Sequence, residues 1–288
     1  GWRDEGVPAK KMVELLDRNG VVVPERTWNR YLAAEFDTPA RSTVPVADGE
    51  PGVELQVDFG ELGRMLDEET GKRRRVWALV FTAGVSRHTF VWLSFNQNLQ
   101  TVIDGCEAAW QFFGGVFKVL VPDNMATVVT KADALDPVLN VAFVEYAQSR
   151  GFLIDPARVR APQDKGRVER AVQFVQTSFW AGEDFGCLAE AQTAAELWCA
   201  SRAGLRTHGT TQAQPAVTFA EIEAPALLPA PTERYDVPLY KQAKVHRDHH
   251  IQVAKSLYSV PGDLIGTTVD VRADKALVKI FAAGQLVK

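Results

Sequence analysis

Asp58 in VELQVDFGEL, Asp123 in VFKVLVPDNM and Glu169 in PQDKGRVERAVQF are the residues best suited to do chemistry. The first two lie in or just after apolar, β-branched runs that read as buried strands, and the third lies one turn into an amphipathic helix. A carboxylate at the edge of a core is costly unless its charge is compensated. Three converging on one point suit a hard divalent cation, because carboxylate oxygens are ligands for Mg²⁺ and Mn²⁺. A pair of such ions activates an attacking oxygen on one side of phosphorus and stabilises the leaving oxygen on the other. Taken singly, Glu169 reads better as a solvated helix face, and Asp58 as an edge carboxylate making structural hydrogen bonds. The three together, in this order, read as a site for phosphoryl transfer on a polynucleotide. Lys165, Arg167 and Arg170 crowd Glu169, as expected where a phosphate backbone crosses the site.

The elements that must position these residues follow from hydrophobic periodicity. VELQVDFG alternates, with Val53, Leu55, Val57 and Phe59 on one face and Glu54, Gln56 and Asp58 on the other. After a polar turn at 67–75, RVWALVFTAGV and HTFVWLSF continue as strands of an antiparallel meander. TVIDGCEAAWQFFG is expected to be a helix closing at Gly114 and Gly115, followed by the nearly all-apolar strand VFKVLVPDN. DPVLNVAFVEYAQSRG reads as a helix and FLIDPARV as a fifth strand. A long helix is expected from Asp164, with Val168, Val172, Val175 and Phe179 recurring at helical spacing, and another over about 188–203. Three strands, helix, strand, helix, strand, helix is the order of an α/β, RNase H-like fold, a mixed five-stranded sheet flanked by helices. On it Asp58 falls mid-strand on the first strand and Asp123 at the end of the neighbouring fourth. Glu169, about 100° around its helix from Val168, is carried across to them.

Flanking modules are expected at both ends. Residues 8–18 and the stretch from Pro24 through ERTWNRYLAAEF read as two short helices around an Asn19-Gly20 turn, with Arg26, Thr27 and Arg30 outward. The pattern fits a helix-turn-helix reading DNA, and equally a plain helical hairpin. The expected division is a helix-turn-helix region at 1–36, a Pro/Gly/Ser-rich linker at 37–52, the catalytic core at 53–206, a second linker at 207–235, and a small β-barrel at 236–288 that ends incomplete. The chain lacks an initiator Met and ends in a strand-like run, so it reads as a fragment.

Composition sets bounds without choosing a function. Formal net charge is −4, so any nucleic-acid contact must come from local patches. Cys106, Cys187 and Cys199 form no zinc pattern and fit buried thiols in a reducing compartment. His246, His249 and His250 read as a solvated or DNA-facing patch rather than a zinc site. The run Lys72-Arg73-Arg74-Arg75 reads as a solvated turn. No run of residues is long and apolar enough for a membrane span.

The chain resembles the DDE transposases and integrases of the retroviral-integrase superfamily, most closely the IstA class of bacterial insertion-sequence transposases. QVDFGEL around Asp58, VPDN around Asp123, QDKGRVERAVQFVQ around Glu169 and HGTT at 208–211 carry the resemblance. It implies Asp58, Asp123 and Glu169 as catalytic and metal-binding triad, two Mg²⁺ or Mn²⁺ ions, Asn124 as a turn-shaping residue or DNA contact, and Lys165 and Arg167 as DNA contacts. It also implies cleavage at transposon ends, strand transfer into target DNA, oligomers on paired ends and an AAA+ ATPase partner in the bacterial cytoplasm, on the nucleoid. An RNase H-like nuclease without joining activity and a catalytically silent DNA-binding regulator are the alternative readings.

Overall fold

The computed structural model describes residues 7–35, 49–123, 125–131, 138–156 and 168–288. The chain divides into two compact units, one drawn from 1–140 and 147–231, the other from 141–146 and 232–288.

The first unit is built on a five-stranded sheet. Its strands are β1 (Glu54–Asp67), β2 (Lys72–Ala83), β3 (Thr89–Ser94), the fourth at Val119–Pro122 and the fifth at Leu153–Ile154. They lie in the order third, second, first, fourth, fifth. The meander pairs antiparallel and the last two strands add in parallel, so the sheet is mixed as expected for an RNase H-like core. The expected polar face of β1 is not a solvent face: Leu55, Val57 and Gln56 are all buried. Helices cover both sides of the sheet, so Gln56 is enclosed and donates to the Glu54 carboxylate at 2.6 Å.

Helix α1 (Ala9–Arg18), α2 (Glu25–Glu35) and α3 (Leu99–Phe113) precede the fourth strand. The α3 boundaries follow local chemistry. Asn98 caps its first turn by accepting from the Thr101 amide at 2.9 Å, and Gly114 ends it in the left-handed region at φ 72°. On the other side of the sheet lies α5 (Val168–Phe174), which follows α4 (Val141–Arg150) in the chain and continues in wider turns over Val175–Trp180. Beside it runs α6 (Leu188–Trp198). Val175, Phe179, Ala191, Ala195 and Trp198 bury the Val76, Ala78, Val80, Val91 and Leu93 side of the sheet. The stretch 207–231, expected as a connection, carries structure of its own. Helical turns run over Pro215–Ala226, and Leu228–Pro229 pair with Gly115–Val116. There the buried Glu223 carboxylate accepts from the amides of Val85 at 3.2 Å and Ser86 at 2.9 Å.

The two N-terminal helices pack on each other through Met12, Leu15 and Leu32, with Trp28 alongside. They are docked rather than free-standing. Leu15 sits against Gly182, and buried Lys11 and exposed Arg18 both donate to Glu183 just beyond the α5 extension. Arg202 pairs with Glu14.

In the second unit, where a small and incomplete barrel was expected, the strands form no closed barrel among the described residues. Its strands form a four-stranded sheet, Leu239–Lys244, Thr268–Ala273, Val278–Ala282 and Gln285–Leu286, and a separate hairpin of His250–Val253 with Ser256–Ser259. The two bury one common core of Val245, Ile251, Val253, Val260, Val269, Val271 and Ile280. Hydrophobic burial is thus achieved by hairpin against sheet, without a continuous ring of hydrogen bonds. Glu145 belongs to this unit and accepts from Arg272 at 2.9 Å, which holds its carboxyl below the usual carboxylate range. His250 Nδ1 lies 2.6 Å from the carbonyl of Asp248. No helix among the described residues is long and apolar enough to cross a membrane.

Candidate active site

Asp58 stands in the middle of β1 opposite Val80 of β2, half-buried, and accepts from the Phe59 amide at 2.7 Å. On its other side β1 pairs in parallel with the fourth strand, the last registered pair being Val57 with Pro122. The Asp123 amide then donates to the Val57 carbonyl at 3.0 Å. This bond extends the ladder by one step and brings Asp123 to the level of Asp58 on the adjacent strand, where strands run about 4.8 Å apart. Two aspartates, on the first strand and just past the fourth, are therefore neighbours because of register alone.

Three contacts fix how α5 crosses β1. A Cβ on Gly60 would lie 2.4 Å from Val172 Cγ1, so the helix approaches closer than any side chain at that position would permit. Gln176 Nε2 donates to the Glu61 carbonyl at 3.0 Å, and Trp180 Nε1 lies 3.4 Å from where a Gly63 Cβ would be. Helix and strand thus run in the same sense. With rises of about 1.5 Å per helical and 3.3 Å per strand residue, the turn before Val172, which carries Glu169, reaches the level of Asp58.

The side chain of Glu169 lies outside the described residues, as do Asn124, Lys165 and Arg167. Arg170 is described and is exposed on α5; Arg26, Thr27 and Arg30 are exposed on α2. Among the described residues no three His, Cys, Asp or Glu side chains come together as a metal-binding group. The chemistry of the described pair nonetheless fits a hard divalent cation, since Asp58 and Asp123 offer only carboxylate oxygens. Sequence reasoning missed Gly60 and the bulge between Glu61 and Gly63. The signal was available in part, as a glycine interrupting an alternating strand often marks close approach of another backbone or helix.

A sheet of this order, with acidic residues mid-way along the first strand and just past the end of its parallel neighbour, defines an RNase H-like core of the integrase and transposase kind. Sequence comparisons with known proteins agree. Residues 230–288 match the family model described as Mu transposase, C-terminal domain. A putative transposase of Mycobacterium tuberculosis is 39% identical over 278 residues, covering 95% of this chain and 68% of that protein. The transposase for insertion sequence element IS21 of Pseudomonas aeruginosa is 30% identical, covering 81% of this chain and 59% of that one. Among solved structures, the HTLV-2 integrase catalytic core superimposes with a TM-score of 0.42 at 14% identity, over 59% of this chain and 98% of that chain. The chain belongs to the IS21 family of bacterial insertion-sequence transposases. It spans 45%, 46% and 51% of the lengths of three further relatives in Sinorhizobium fredii and Pseudomonas fluorescens.

Proposed function

We propose that this chain catalyses cleavage at transposon ends and transfer of the freed 3′-hydroxyl into target DNA, with Asp58, Asp123 and Glu169 as its catalytic triad. The observation that carries the reading is the Asp123–Val57 bond, which sets two carboxylates side by side under the helix that bears Glu169. The triad would hold Mg²⁺ or Mn²⁺, two ions in all, which when bound activate the attacking oxygen and stabilise the leaving one.

The protein's own residues do the rest. β1 and its parallel neighbour hold the two aspartates on rigid backbone, so little reorganisation is needed when DNA arrives. Asn124, Lys165, Arg167 and Arg170 are assigned to the DNA strand beside the triad. Arg26, Thr27 and Arg30 on α2 are assigned to duplex DNA, with residues 1–36 as the helix-turn-helix region, 53–206 as the catalytic core and 236–288 as the C-terminal module. Paired ends call for more than one copy of the chain, and an AAA+ ATPase is the proposed helper. The setting is the bacterial cytoplasm, on the nucleoid.

The test is a joining assay with a labelled transposon end and a plasmid target in Mg²⁺ or Mn²⁺. Joined product that disappears in the Asp123→Asn variant supports the proposal. Cleavage without joining points instead to a nuclease, and DNA binding with no metal-dependent product to a silent regulator.

A further inference from the structure

The guanidinium of Arg206 lies flat over the ring of Phe174, with Cζ 3.7 Å from the ring centre. It is half-buried, its Nε is enclosed without an acceptor, and no carboxylate pairs with it among the described residues. Burial pulls its pKa down. Stacking on an aromatic face offsets only part of the cost of removing a cation from water. A second cation lies on the helix that carries Phe174. Arg170 precedes Phe174 by one helical turn, is exposed, and also has no ion pair among the described residues. Residues so spaced share one stripe of a helix, so Arg170 and the ring that carries Arg206 lie on the same flank of α5. A partly enclosed guanidinium with no carboxylate among the described residues is unfavourable for the isolated chain and becomes favourable once an anion meets it. Stacking uses the flat face of Arg206 and, with Nε enclosed, leaves the terminal Nη1–Nη2 edge to fork onto phosphate oxygens.

We propose that Arg206, stacked on Phe174 and with Arg170 on the same stripe of α5, binds a backbone phosphate of DNA led along the outer flank of the helix that carries Glu169. This rests on reading the chain as a DNA strand-transfer enzyme, and it adds a residue that the strand-and-helix triad does not include. Arg206 is a binding residue here; it takes no part in bond making.

Fluorescence anisotropy of a labelled random-sequence duplex, titrated with the full chain between about 50 and 200 mM salt, tests it. Arg206→Leu keeps an apolar body against Phe174 and removes the charge. The slope of log affinity against log salt should shallow by about one. The melting temperature without DNA should stay level or rise, because an unpaired buried charge has been removed. A fall in melting temperature with an unchanged slope marks a structural arginine and overturns the proposal, as does an unchanged slope with any melt. Should the variant fail to fold, phenylglyoxal modification of the parent protein, mapped by mass spectrometry, replaces it. Duplex should protect Arg206, and equal modification with and without duplex rejects the site. A parent chain that binds no duplex at any salt defeats the DNA reading itself and this inference with it. Asp123→Asn is expected to keep the full salt slope while losing joined product, so the two failures are distinguishable.

Discussion

The amide of Asp123 donates to the carbonyl of Val57 at 3.0 Å, and this one bond brings Asp123 level with Asp58 across a parallel strand pair. Neither residue's neighbours in sequence determine that. The bond depends on the fourth strand entering the sheet beside the first, in parallel and in this register.

Asp123→Asn and Asp58→Asn replace one oxygen by an amide and keep side-chain shape. Each is expected to lower strand joining by at least about 100-fold, the upper range for loss of a residue that merely supports a metal site. Stability should change by less than about 1 kcal/mol, since neither substitution opens a cavity. Joined product is quantified on gels beside a thermal melt; full activity in either variant would move the site elsewhere.

Gly60→Ala is expected to destabilise the fold by about 1–3 kcal/mol, because the new methyl meets Val172 Cγ1 at 2.4 Å and Val is stiff about χ1. Val172→Ala in the same chain removes the obstructing methyls and should recover much of the loss. Urea unfolding of the two single variants and the double closes the cycle. Strict additivity would mean that α5 does not rest on Gly60.

His88 sits among Phe112, Phe113 and Phe219, and burial there pushes its pKa down to about 4. The unfolded chain, with a histidine near 6.5, therefore takes the proton first. The contribution to stability is complete above about pH 6.5 and is lost as pH falls toward 4, by up to about 3 kcal/mol. Urea midpoints at successive pH values should drop across that window in the parent and far less in His88→Leu. Parallel curves for the two would assign the dependence to other groups.

Glu183→Gln should loosen the N-terminal helices. Lys11, only 4% exposed, would keep just Glu14 at 3.8 Å, and Arg18 would lose its acceptor. A cost of roughly 1–3 kcal/mol is expected, below that of a fully buried pair because Arg18 is half-exposed. Hydrogen exchange over 9–18 should accelerate while β2 and β3 keep their protection; unchanged exchange over 9–18 would show that apolar contacts alone hold α1.

Local patterning carried much of the fold. The strand and helix order from Val53 to about Ala203 was legible because period-2 and period-3.6 alternation record which face of an element is buried. The C-terminal end of α3 was legible too, since Gly114 acts within one turn of where it stands. Other features were not legible for the opposite reason. The burial of Gln56 needs helices on both faces of the sheet, and the docking of α1 needs Glu183 to meet Lys11 from far along the chain. The C-terminal strands alternate as barrel strands would, but alternation does not say whether a sheet closes. Their pairing into a sheet and a hairpin was a matter of hydrogen-bond partners.

The sequence by itself determined the acidic residues, the elements on which they stand and the order of those elements, all properties of short windows. Only the tertiary structure decided that Asp58 and Asp123 share a level, that Gly60 admits α5 against β1, and that Arg206 comes to rest on Phe174. Each of these is a contact between segments distant in the chain, set by strand register and close packing, which local periodicity does not encode.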